Sequence, residues 1–180
     1  MRKRLTRKIL AALAASLTVV VASLVPAAPA AADNGQRCNE HVQSKTFALP
    51  GKPDVIHHVM LCFRSFDDGK ADARSLTYWD FEDIVPPVPG VRFDAYTIEV
   101  TIERRDTKTS ADHVISRWTC DLKAYVNGPR PANLPSEVCW MPWIGYSWQG
   151  YWSADAKVTY DINNDGKGAA TWNITGTPLW

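Results

Sequence analysis

The stretch Tyr96-Thr-Ile-Glu-Val-Thr-Ile-Glu103 alternates apolar and polar residues without a break. Its apolar side chains occupy even positions, and its threonines and glutamates occupy odd ones. Successive side chains of a β-strand point to opposite faces, so this period of two predicts a strand with one buried face and one wet face. We therefore expect the even-numbered face to form part of the hydrophobic core.

Two hairpins follow from the same kind of pattern. The polar stretch 105–112 turns the chain, and the next apolar residues again occupy even positions: Val114, Trp118, Cys120, Leu122, Ala124 and Val126. Segments 96–103 and 114–126 therefore predict an antiparallel hairpin. A second hairpin is predicted between 158–162 and 170–174, across the Asn-Asp-Gly turn at 164–166.

Shorter apolar runs upstream predict three more strands, at 45–49, 55–66 and 76–81. They are separated by turn residues at Pro50–Gly51 and Asp67–Gly69. The proline-rich segments 86–90 and 127–135 predict a break and a non-helical loop. We therefore expect an all-β fold, an antiparallel β-sandwich of about seven or eight strands, with the jelly roll as one form of that architecture.

The first 32 residues have the three parts of a secretory signal peptide: a basic start at 1–8, an apolar run at 9–25, and small residues that end in Ala30 and Ala32. This predicts a secreted mature chain, 33–180, that forms one domain and has no membrane span after cleavage. An uncleaved anchor helix is the alternative, because the apolar run is at the lower limit for a span.

Charge and cysteine content narrow the function classes. Removing the leader leaves 15 basic residues against 19 acidic ones, which argues against nucleic acid as a partner. The four cysteines of an exported chain predict two disulfides. Three pairings are possible, and we favour the pairing of neighbours, which joins Cys38 to Cys62 and Cys120 to Cys139 and closes two compact rings.

The segment Trp140-Met-Pro-Trp-Ile-Gly-Tyr-Ser-Trp-Gln-Gly-Tyr-Trp152 holds six aromatic residues. Flat indoles stack on the apolar faces of sugar rings, and Trp140 and Trp143 lie beside a cysteine and a proline in a sequence typical of loops. We therefore expect these two residues to form an exposed platform, assisted by Tyr146 and by the polar side chain of Gln149 or Asp155. The alternative places these aromatic residues, Trp148 and Trp152 among them, in a core strand.

Two other patterns suggest metal or acid chemistry. Asp161, Asn163 and Asp165 match positions 1, 3 and 5 of a calcium loop, but position 12 is Trp172 and supplies no carboxylate, so a plain hairpin turn is the favoured interpretation. The adjacent residues His57 and His58 point to opposite faces of a strand and cannot share a metal ion.

Asp80 and Glu82 occupy one face of a predicted strand, about 7 Å apart, a separation that suits glycoside hydrolysis. Solvated acids at a strand end are the more ordinary interpretation. The sequence has none of the common nucleophile motifs, so it favours no enzyme.

The closing segment, 160–168 and 171–178, with the Ala-rich leader and the paired cysteines, resembles the tail of small secreted actinobacterial proteins of unknown function. That resemblance implies secretion and a β fold, and it carries over no catalytic residue.

These observations favour a secreted binder of a polysaccharide or cell-envelope glycan that uses Trp140, Trp143 and Tyr146. A second hypothesis is an extracellular protein-interaction or protease-inhibitor module that presents the Cys120–Cys139 loop, with Arg130 held between two prolines. A third is a glycan-cleaving enzyme that uses the acids near Asp80.

Overall fold

A computed structural model describes residues 35–82, 90–129 and 132–180, and for 132–138 it describes the backbone alone. The predicted signal peptide and Arg130 lie outside these ranges, as does most of the proline-rich break at 86–90, and they stay predictions. The described part holds no helix that is long and apolar enough to cross a membrane.

Ten strands and one helical turn make up the regular structure of the described residues. In chain order they are β1 (Gln36–Cys38), β2 (Gln43–Phe47), β3 (Val55–Phe66), β4 (Lys70–Phe81), β5 (Phe93–Arg105), β6 (His113–Asp121), α1 (Lys123–Val126), β7 (Ala132–Trp140), β8 (Ile144–Gly145), β9 (Tyr151–Ile162) and β10 (Ala170–Ile174). The count exceeds the expected seven or eight because several of these strands are only two to five residues long.

The strands form two antiparallel sheets, which confirms the all-β sandwich. In the first sheet the order is β1-β3-β4-β7, with β2 added beside β3 and β8 beside β4. In the second sheet the order is β10-β9-β5-β6. The core lies on the facing sides of the sheets, where alternate residues of the long strands β3, β4, β5 and β9 are buried.

Strand β5 behaves as its alternation predicts. Ile98, Val100 and Ile102 are fully buried, because β5 lies between β9 and β6 and faces the first sheet. The hairpin of β9 and β10 is also confirmed, with Trp172 opposite Val158. Its turn holds Asn164 and Gly166 at positive φ, as the sequence predicts.

The predicted hairpin partner of β5 is only partly correct. Strand β6 ends at Asp121, and the chain then forms α1, so the even positions 122, 124 and 126 do not continue the strand. Leu122 and Val126 are buried but Ala124 is exposed, which is the spacing of a helical turn. The side chain of Asp121 accepts the backbone N–H of Lys123 at 2.9 Å and helps to turn the chain there.

Strand β6 is also less buried than its pattern predicts. Val114 and Trp118 are each nearly half exposed. The register against β5 shifts between Ile102 and Glu103, so Val114 lies opposite Glu103, on the outward face. Trp118 lies opposite the buried Val100, and it is exposed because β6 is an edge strand with one neighbouring strand instead of two.

The loop predicted at 127–135 is wrong for its second half, because β7 begins at Ala132 and pairs with β4. β7 is an edge strand of the first sheet, and its register against β4 shifts twice. Edge strands and bulges are where a sheet tolerates proline, so Pro135 does not prevent the strand.

Both disulfides join the cysteines that are neighbours in sequence, which confirms the favoured pairing. Cys38–Cys62 links β1 to β3 within the first sheet. Cys120–Cys139 links β6 to β7 and therefore ties the edge strands of the two sheets together.

Candidate functional site

The outward face of the first sheet carries the aromatic residues that the sequence singles out. Trp140 is the last residue of β7, opposite Arg74 of β4, and Trp143 lies just before β8, which pairs with the start of β4. Trp140 is 47% exposed and Trp143 is 59% exposed. We call these two side chains the aromatic platform.

A single carboxylate anchors both indoles of the platform. Asp72 Oδ2 accepts the Nε1–H of Trp140 at 3.0 Å and that of Trp143 at 3.2 Å. The Asp72 side chain is fully buried even though it lies on the outward face. Because each indole is fixed through its N–H, the platform is pre-organised, and a ligand would lose little conformational entropy of these side chains on binding.

Arg64 completes the buried polar centre under the platform. It faces Asp72 across β3 and β4 and donates to both of its oxygens, at 2.8 and 2.5 Å. Its guanidinium carbon lies 4.9 Å from the centroid of the Trp140 ring. The Asp72 charge is therefore balanced, and Trp140 stacks on a cation on one side while it meets solvent elsewhere.

The surroundings of Trp143 form shallow grooves. Its ring lies 6.1 Å from Phe66 and 5.1 Å from the ammonium of Lys70, which also pairs with Asp68. A groove of about 270 Å³ lies among these residues, and another of about 400 Å³ runs along Trp140 to Trp143. Aromatic walls with a few charged groups at the rim are suited to the face of a sugar ring.

The other predicted platform residues are placed differently. Tyr146 packs against Phe63 and Trp152 and belongs to the edge of the core, and this burial raises the pKa of its phenol. Gln149 is exposed in the loop before β9. Trp148, 52% exposed, lies in that same loop, and Trp152 is the buried residue that the core-strand alternative predicts.

The residues of the calcium-like loop make contacts typical of a turn. Asn163 Oδ1 accepts hydrogen bonds from Lys52 Nζ at 3.1 Å and from Asn164 at 2.8 Å. Asp165 accepts the backbone N–H of Lys167 at 2.8 Å, and Asp161 lies within β9, one residue before its end. Among the described residues no group of three or more His, Cys, Asp and Glu side chains is placed to hold a metal ion.

The two adjacent histidines point to opposite faces of β3, as expected. His57 is buried and hydrogen-bonded to Tyr96. His58 lies on the outward face, where its Nε2 is 3.7 Å from Asp80 Oδ1. Strand β4 ends at Phe81, so Glu82 lies one residue beyond it. The side chain that faces the Asp80 carboxylate is His58.

Sequence reasoning missed the support of the platform, namely Asp72 and Arg64. Both lie about 70 residues or more from the tryptophans in sequence, so no local pattern connects them. A partial signal existed, because a hairpin centred on the predicted turn at Asp67–Gly69 brings these two opposite charges face to face.

Comparisons of the chain with protein-family models, with curated proteins and with solved structures find no match.

Proposed function

We propose that this chain is a glycan-binding protein that acts outside the cell and binds a polysaccharide or cell-envelope glycan on the aromatic platform. The observation that carries the proposal is the pair of half-exposed indoles, Trp140 and Trp143, fixed on the one buried carboxylate of Asp72. Two disulfides support an oxidising location, and the leader pattern at 1–32 supports secretion.

Several features beside the platform support a sugar as the ligand. The half-buried side chains of Met60 and Leu76 continue the same outward face and offer apolar contact to the C–H groups of a sugar. Arg74, which lies beside Trp140 and donates to Gln36 Oε1 at 2.5 Å, adds a polar group to the rim of the platform. A partly apolar surface with fixed aromatic rings and peripheral donors is the arrangement that holds a ligand rich in both C–H and O–H groups.

The proposal is tested by titrating oxidised 33–180 with soluble fragments of chitin, cellulose, xylan and peptidoglycan, followed by calorimetry and tryptophan fluorescence. We expect saturable binding of one glycan. Trp140→Ala and Trp143→Ala should each weaken it by about tenfold or more, which is about 1.4 kcal/mol, because the residues that dominate binding energy are enriched in tryptophan.

Trp118→Ala is the matched control, since Trp118 is exposed to a similar extent, 45%, but lies in the second sheet. Its affinity should equal that of the wild-type chain. Binding that is equally weakened by Trp118→Ala, or that no platform variant weakens, would contradict the proposal, as would the absence of binding to every glycan.

The second candidate is the protein-interaction or protease-inhibitor module. What favours it is the rigid base of the Cys120–Cys139 loop, where the buried Arg92 donates to the carbonyls of Val126 and Gly128, at 3.2 and 2.9 Å. A rigid base lowers the entropic cost of docking a loop. Inhibition of a trypsin-like protease that disappears in Arg130→Ala would support this function.

A further inference from the structure

A hydroxyl, an imidazole and a carboxylate lie close together on the outward face of the first sheet, apart from the aromatic platform. Ser44 of β2, His58 of β3 and Tyr78 of β4 are consecutive partners across three strands. The hydroxyl of Ser44 and Nδ1 of His58 share a hydrogen bond of 2.7 Å. On the other side of the imidazole, Nε2 faces Asp80 Oδ1 at 3.7 Å.

We propose that Ser44, His58 and Asp80 form the nucleophile, the base and the positioning acid of an ester hydrolase. A hydroxyl in hydrogen-bond reach of one imidazole nitrogen, with a carboxylate at the other, is the arrangement by which serine is activated. Here Nδ1 faces the hydroxyl and Nε2 faces the carboxylate, so the two ring nitrogens exchange the roles that they have in the Ser-His-Asp triad. Such a triad is recognised by its geometry and not by the positions of its residues in the sequence, so the absence of a sequence motif does not argue against it.

The environment of His58 supports this assignment over an ordinary surface histidine. Nε2 of His58 and Oδ1 of Asp80 are both buried atoms, and neither has a hydrogen-bond partner in the described structure. A slight approach of the two would form that bond, and such catalytic contacts are often long before a substrate is bound. The ring of Tyr78 stacks on the imidazole at 4.2 Å and an angle of 12°, which holds the imidazole plane in place.

The nucleophile is accessible where the reaction would need it. Ser44 is exposed and lies on β2, which pairs only with β3 among the described residues. Every second backbone N–H of such an edge strand points away from its neighbour. An N–H of this kind near Ser44 would supply the donor that stabilises the oxyanion of an acyl-transfer step.

The reaction needs no cofactor. Ser44 Oγ attacks the ester carbonyl as its proton passes to His58 Nδ1, and the C–O bond to the alcohol breaks as that alcohol takes the proton. Water then attacks the acyl-serine, gives a proton to His58 and releases the carboxylic acid, while Ser44 recovers its proton. Asp80 would orient the imidazole and stabilise its charged form.

The substrate class rests on the proposed function, because the two groups share one face. The row of His58 and Tyr78 lies four residues along the strands from the row of Cys62, Arg74 and Trp140, and β2 and β7 are separated by two strands. The distance between the platform and Ser44 is therefore roughly 20 Å, the length of a few sugar units. This placement points to O-acylated glycans as the esters.

The test uses the oxidised chain with two probes, 4-nitrophenyl acetate and O-acetylated xylan. We expect saturable release of nitrophenol and of acetate, lowered at least about 100-fold in Ser44→Ala and in His58→Gln. A fluorophosphonate probe should modify Ser44, as found by peptide mass spectrometry. Ser110→Ala, which alters a half-buried serine in the β5–β6 turn, should keep full activity.

Asp80 has its own readout as a positioning residue. Asp80→Asn should lower kcat and leave KM unchanged, and Asp80→Glu should recover part of kcat. Nitrophenol release that survives in Ser44→Ala, or no release and no adduct at Ser44, would overturn the triad. Release of nitrophenol without release of acetate from xylan would overturn the assignment to glycan esters.

The failure of this inference and that of the proposed function can be told apart. Ser44→Ala should keep glycan affinity, which also shows that the variant is folded. Trp140→Ala should keep hydrolysis of 4-nitrophenyl acetate and lose that of the xylan. Glycan binding without any esterase activity would overturn the inference alone.

Discussion

Arg64 and Asp72 face each other across the β3–β4 hairpin, and the guanidinium donates to both carboxylate oxygens, at 2.8 and 2.5 Å. The carboxylate has no exposed surface, because the tryptophans of the platform cover it. The ion pair therefore holds the two indoles of the platform in place. A ligand bound to the tryptophans would depend on the Asp72 carboxylate, because that carboxylate orients the indoles without contacting the ligand.

Asp72→Ala should therefore lower both stability and glycan affinity. It leaves the Arg64 cation and two indole N–H groups without their acceptor, and breaking one side of a buried ion pair costs about 3 kcal/mol. Glycan affinity should fall by about tenfold or more, because the rings lose their fixed orientation. Urea unfolding and calorimetric titration measure the two effects.

Asp68→Ala is the control for this prediction, because Asp68 is an exposed acid on the same hairpin and pairs with Lys70 at the surface. Its free energy of unfolding should change by less than about 0.5 kcal/mol. Equal effects of the two substitutions on the free energy of unfolding would mean that Asp72 has no special role in supporting the platform.

The parts of the fold that the sequence predicted well are those where one pattern had one interpretation. The eight alternating residues of β5 fit a strand and nothing else, and the turn residues 164–166 fit only a tight reversal. Leu122 and Val126 were ambiguous because residues four apart share a face in a strand and nearly so in a helix. The exposed Ala124 between them separates the two, and exposure is not visible in the sequence.

The site was predictable only where the residues are neighbours in the chain. Trp140 and Trp143 stand out locally, and the structure places both at the surface. The Ser44–His58–Asp80 group depends on the register of β2 against β3 and on the diagonal placement of Asp80 on β4. A shift of one residue in either register would move a side chain to the opposite face, so no local pattern contains this information.

His57 should make stability depend on acid. Burial, with a contribution from the charge of His58, lowers the pKa of His57 to about 3. In the unfolded chain the pKa of this histidine is about 6.5. Between pH 3 and pH 6.5 the unfolded chain therefore binds about one proton more than the folded chain, and the free energy of unfolding falls as pH decreases through this range. The slope from this group is about 1.4 kcal/mol per pH unit.

His57→Gln should remove that contribution and retain a polar partner for Tyr96. The variant is less stable near neutral pH, but its free energy of unfolding should fall less steeply than that of the wild-type chain between pH 6 and pH 4. Urea unfolding at several pH values measures this. Parallel curves for the two proteins would show that His57 does not titrate as proposed.

Calcium should leave the protein nearly unchanged. The ammonium of Lys52 donates to Asn163 Oδ1, so a calcium ion would have to displace it, and the loop lacks the carboxylate of position 12. We expect millimolar calcium to change Tm by less than about 1 °C, since only a ligand that binds the folded state raises Tm. A rise of several degrees that a chelator reverses would establish a calcium site in the loop.

Glu103 should oppose His57 in part of the same pH range. Burial, a hydrogen bond with Asp155 and the charges of Asp155 and Asp112 raise the pKa of Glu103 to about 7, against a smaller lowering by Arg105. The folded chain therefore holds more protons than the unfolded chain between about pH 4.5 and 7, and this group's contribution to stability is lost as pH rises through that window. The amide of Glu103→Gln can donate to Asp155 at every pH. The substitution should therefore stabilise the chain at pH 8 by about 1 kcal/mol, a value reduced for solvent screening, and change its stability little at pH 4.5.

Urea unfolding of Glu103→Gln at both pH values measures this effect. The control is Glu99→Gln, which alters a glutamate on the same face of β5 that pairs with Lys157. Equal effects of Glu103→Gln at the two pH values would contradict the raised pKa of Glu103, because a change in packing alone does not depend on pH.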